Sequence, residues 1–72
     1  LMMIRALVES AFQTGYLSVE SEGLLHQMLA GRIYRTEDVA ALTRLCDAVR
    51  AGLVKREASS NISMEFLALK RQ

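Results

Sequence analysis

The chain has 72 residues, 51% of them hydrophobic, with one cysteine and a formal net charge of +1. A single domain of this size keeps only about 3–5 kcal/mol of net stability unaided, and one cysteine excludes an internal disulfide and a cysteine-based zinc site. So small a charge gives no strong field for nucleic acid or a membrane surface, which leaves self-association or docking on a larger protein as the expected compensation.

The opening "LMMIRALV" is apolar but interrupted by Arg5 and followed by Glu9. It has neither the basic start nor the small-residue cleavage site of a secretory leader. No stretch approaches the ~18 uncharged apolar residues that a membrane span needs. A cytoplasmic protein is expected. Charge is mildly uneven: residues 1–31 carry Arg5 against Glu9, Glu20 and Glu22, whereas the rest of the chain holds an excess of Lys and Arg.

Residues 2–14 place Ile4, Leu7, Val8, Ala11 and Phe12 at helical spacing, within ~140° of arc. Gly15 suits the left-handed residue after a helix end, with Tyr16 and Leu17 able to fold back on the last turn. The second helix is expected over 19–30. Ser18 is its N-cap, Glu20 and Glu22 favour its positive end, and Leu24, Leu25, Met28 and Leu29 form its apolar stripe. Gly31 is expected to stop it.

The third helix is expected over 37–52, with Thr36 as cap and Glu37 and Asp38 in the first turn. Val39, Leu42, Leu45, Cys46, Val49 and Leu53 fall within ~120° and form its packing stripe. Ala41 and Ala48 make a second, shallow side for a close neighbour. Asp47 stands three residues from both Arg44 and Arg50 and forms a solvated charge network.

Beyond Gly52, "KREASSN" is polar, and 55–61 reads as a linker within a single domain of residues 1–72. In "ISMEFLALK", Ile62, Phe66 and Leu69 fit a helix over about 62–70, while Ile62, Met64 and Phe66 alternate as a strand would. The lack of a convincing partner strand favours helix. The fold expected is therefore all-α, a small bundle of three to four helices. "GYLSVESEGLL" and "GRIYRTEDVAAL" share a glycine, a cap, acids and an apolar face, which the grammar of helix ends accounts for without a duplication.

The corner "AGRIYRTEDVAALTRL" raises the question of a DNA-reading helix-turn-helix. Arg32, Tyr34 and Arg35 would suit a phosphate-touching loop, but Glu37 and Asp38 stand where a recognition helix meets bases. His26 is the single histidine, four residues after Glu22, and has no nucleophile or second histidine with it. Cys46 lies in an apolar stripe and reads as a small hydrophobe. The acid pairs lack the alternation of an EF-hand loop. No catalytic constellation, metal site or cofactor is expected, and the chain reads as no enzyme.

"LVESAFQTGYLSVESEGLLHQML" and "TEDVAALTRL…AGLVKRE" resemble short helical proteins of cyanobacteria, over residues 4–57. The resemblance implies a cytoplasmic helical protein and carries no catalytic residues.

The function expected is a non-enzymatic protein-protein interaction or regulatory module that self-associates or docks on a larger assembly. Phe12, Tyr16, Arg32, Tyr34, Arg35, Phe66, Leu67 and Leu69 are its expected interface. The alternative is a small nucleic-acid-binding regulator using Arg32, Arg35, Arg44, Arg50, Lys55 and Arg56.

Overall fold

The computed structural model describes residues 3–58. It is mostly helical, with α1 at Met3–Thr14, α2 at Val19–Ala30 and α3 at Thr36–Arg50. Two short strands, β1 at Tyr16–Leu17 and β2 at Lys55–Arg56, add a parallel pair in which Tyr16 faces Lys55 and Leu17 faces Arg56. That pair is absent from the helical expectation, because two residues are too few to show a period of alternation. It occupies the start of the 55–61 stretch; residues 59–61, and the 62–70 segment with Phe66, Leu67 and Leu69, lie outside the described residues.

α1 packs against both α2 and α3. Its buried residues are Ile4, Val8 and Ala11, the inward part of the expected stripe. They meet Leu25 and Leu29 of α2 and Ala41, Leu42, Leu45, Cys46 and Ala48 of α3 in one cluster, closed by Leu17 and Val54. Ala41 and Ala48 are thus core residues, consistent with their role as a shallow side for a neighbour. Leu53 is a correction: it is 74% exposed, and the next residue, Val54, is 2% exposed in its place. The reason is that α3 ends at Arg50 and not at 52, so the helical period no longer applies where Leu53 stands.

The helix ends explain these bounds. α3 finishes with Ala51 as C-cap and Gly52 at φ 81°, and Gly52 and Leu53 donate N–H bonds to Val49 and Ala48 carbonyls. This double bond pattern satisfies carbonyls left open by the helix and turns the chain back. α2 ends in the same way, with Arg32 and Ile33 donating to Leu29 and Met28. Here the left-handed residue is Arg32, φ 58°, whereas Gly31 keeps a right-handed conformation as C-cap. Gly31 does end the helix, but one position earlier in the motif than the residue with positive φ. A Cβ there would meet the Ile33 side chain at 3.4 Å, an ordinary contact.

At the start of α2, Ser18 Oγ accepts from the Ser21 N–H at 3.1 Å, as a capping serine should. At the start of α3 the cap is Arg35, not Thr36. Asp38, three residues in, accepts the Arg35 backbone N–H on Oδ2 at 2.8 Å. This is one half of a capping box; a guanidinium has no acceptor to complete the other. Thr36 consequently lies inside the helix.

β2 ties the end of the described chain to its beginning. Lys55 donates to the Gly15 carbonyl at 3.0 Å and Glu57 to the Leu17 carbonyl at 2.9 Å, while Glu57 Oε1 accepts the Val19 N–H at 2.9 Å. The C-terminal ends of α1 and α3 and the N-terminal end of α2 therefore gather at one end of the molecule. At the other end, Met3, Ile4, Met28, Ile33 and Asp38 surround one pocket.

Candidate interaction surfaces

Between α1 and α3 lies a cleft of about 190 Å³, lined by Arg5, Val8, Glu9, Phe12, Ala41 and Arg44. Its composition follows from α1's helical period. Val8 points inward, while Arg5, Glu9 and Phe12 follow one flank of the helix, rotated ~90° from the core. Ala41 is small enough to let the two helices approach.

Phe12 is 41% exposed, and the Arg44 guanidinium stands 5.9 Å from its ring centroid. That is within the range of a cation–π contact, which holds both long side chains beside the cleft. Arg5 Nε is 3.5 Å from Asp38 Oδ1, with the carboxylate largely buried and the arginine partly open. Both arginines are therefore positioned rather than loose. Further around α1, Arg5, Ala6, Glu9, Ser10 and Gln13 line a shallow hollow of about 430 Å³ that shares Arg5 and Glu9 with the cleft.

On the other flank of α1, Met3, Ile4, Met28, Ile33 and Asp38 line an apolar pocket of about 180 Å³. Ile33 is 65% exposed and Met3 45% exposed. Ile33 also borders a depression with Tyr34, Arg35 and Asp38.

The residues expected to contact a partner are thus divided. Phe12 lies on the α1–α3 cleft, whereas Tyr16 is exposed on β1 at the end where Gly15 meets Lys55. Arg32 and Arg35 are exposed at the α2–α3 corner. Tyr34, beside them, is half-buried against the core. Phe66, Leu67 and Leu69 fall outside the described residues.

Of the basic residues, Arg44, Arg50 and Arg56 each meet another described side chain. Arg56 makes a paired contact with Glu22, Nε to Oε1 at 3.0 Å and Nη2 to Oε2 at 2.8 Å, with side-chain exposures of 11% and 4%. Arg50 contacts Asp47 at 3.3 Å on the surface, and Arg44 covers Phe12. The Glu22–Arg56 bridge has no local signal in the sequence, since its members are 34 residues apart. Glu22 reads there as a helix-start acid and Arg56 as part of a polar run. Asp38 was legible as a helix-start acid, but its burial and its contact with Arg5 come only from the fold.

Cys46 is a buried free thiol. Among the described residues, no group of three or more His, Cys, Asp or Glu side chains is arranged to hold a metal ion, and no helix is long and apolar enough to cross a membrane. Every buried side-chain nitrogen and oxygen there has a hydrogen-bond partner. No protein-family model matches this chain, and no curated protein or solved structure matches it.

Proposed function

We propose that the chain is a non-enzymatic protein-interaction module that associates with a second copy of itself through the α1–α3 cleft. One observation carries this reading: a partly exposed aromatic ring, Phe12, held under the Arg44 guanidinium at the mouth of a cleft lined by Val8 and Ala41. Aromatic and arginine side chains are the residue types that anchor protein interfaces, because they combine large apolar area with directed polar contact.

The charges support a copy of the same chain as partner. Arg5 and Glu9 lie one turn apart on the same flank of α1. Antiparallel packing of two α1 helices about a twofold axis brings each Arg5 towards the other chain's Glu9. The small size and high apolar content of the chain act in the same direction. A nucleic-acid role is less well supported, since Arg56 is spent on a buried carboxylate and Arg44 on a ring.

Sedimentation equilibrium on the full chain tests the reading. The expected result is a dimer at micromolar concentration that Phe12→Asp and, separately, Arg44→Glu convert to a helical monomer. A folded wild-type monomer at that concentration, or a dimer indifferent to both changes, overturns it.

A further inference from the structure

β1 and β2 pair only with each other among the described residues, so each strand has an outer edge. The two edges differ. In a parallel pair, alternate residues turn both backbone groups to the same neighbour. Tyr16 therefore faces away from β2, and the last residue of α1 closes that edge. Thr14 Oγ1 accepts the Tyr16 N–H at 3.2 Å and lies 3.1 Å from the Tyr16 carbonyl oxygen. On β2, Lys55 and Glu57 donate to β1 and its flank, which turns Arg56 outward. No described residue bonds to the Arg56 N–H or carbonyl. An edge left open in this way is a template for another strand.

Charge decides which strand fits. Lys55 and Glu57 are exposed and share one face of β2, while Arg56 turns to the other face and is held by Glu22. When a second β2 lies antiparallel across a twofold axis at Arg56, the two Arg56 residues exchange both N–H···O bonds. That register sets Lys55 of each chain directly opposite Glu57 of the other, an attractive pair on either side of the axis. Glu57 can serve it, because Oε1 alone is committed to the Val19 N–H. The two Arg56 guanidinium groups do not oppose this, since each is already paired with the Glu22 of its own chain. Registers centred on Lys55 or Glu57 need backbone groups already turned to β1, and they set like charges together.

We propose that β2 pairs antiparallel with the β2 of a second copy, centred on Arg56, to give the strand order β1–β2–β2–β1. An edge this short makes a weak contact, formed at about millimolar concentration. It shares no residue with the α1–α3 cleft and does not rest on it. A chain that also pairs through the cleft is then linked on two sides, and dimers join into larger assemblies.

Backbone amide resonances of the full chain, followed from about 0.05 to 2 mM, test the pairing. The Arg56 amide proton should move downfield with concentration, as hydrogen bonding deshields it, while the Tyr16 amide stays in place. The movement should be the same in Phe12→Asp, so the fate of the cleft dimer does not decide it. Lys55→Glu changes an exposed side chain, sets like charges opposite one another and should abolish the movement. Adding an unlabelled, helical Glu57→Lys chain to isotope-labelled Lys55→Glu restores opposite charges across the axis, and the Arg56 amide should move downfield again. An Arg56 amide indifferent to concentration overturns the proposal. So does a movement that survives Lys55→Glu, or one that does not return on mixing.

Discussion

Arg32 carries the one non-glycine positive φ among the described residues, 58°. The left-handed region crowds an L side chain against its own backbone, and only glycine enters it without cost. Arg32→Gly should therefore raise unfolding stability by about 1 kcal/mol, read as a higher urea midpoint at unchanged slope. An unchanged or lower midpoint would show that the arginine side chain offsets the strain through contacts of its own. The neighbouring glycine shows how residue type and role can separate. Gly31 was readable as a helix stop, and it is the C-cap, but at φ −84° it does not use the torsion that favours glycine. No local pattern shows that the left-handed torsion falls on Arg32 and not on the glycine before it.

At the scale of the element, what was legible is what repeats within a few residues. The ranges of α1 and α2, the Ser18 cap and the inward residues Ile4, Val8 and Ala11 follow from periodicity and from the chemistry of helix ends. Leu53 and Val54 mark the limit, because a period extrapolated three residues past the helix end at Arg50 exchanges an exposed position for a buried one. The difference is measurable. Leu53→Ser should change stability by less than about 0.5 kcal/mol, as for other surface sites, whereas Val54→Ala should cost about 2 kcal/mol. Comparable losses from the two would mean that Leu53 is covered in solution. The α1–α3 cleft was partly readable: Phe12 was singled out, but Arg44 as its companion and Asp38 as the anchor of Arg5 required the packing of two helices.

For the whole molecule, the Glu22–Arg56 bridge joins α2 to β2 across 34 residues and was invisible in the sequence. Burying two charges is costly, and removing one partner leaves the other uncompensated in a poor solvent for ions. Arg56→Met alone should therefore destabilise by about 3 kcal/mol or more, most of what a domain this small possesses. Replacing both, as Glu22→Leu with Arg56→Met, should recover most of that loss, since an apolar pair has no charge to strand. Equal denaturation midpoints for the single and double variants would mean that Arg56 acts through packing alone.

The parallel pairing of β1 with β2 also sets an order of events during folding. Helices α1, α2 and α3 close through local contacts and can form within microseconds. The bonds from Lys55 and Glu57 to Gly15, Leu17 and Val19 instead join positions as much as 40 residues apart, and require the chain to come round on itself. Until that return is complete, the Glu22 carboxylate has no Arg56 to meet it, and a bundle that collapses early must either keep it wet or bear an unpaired charge. The return that pairs β2 with β1 is also what brings Arg56 to Glu22, so the strand pairing and the buried ion pair form together.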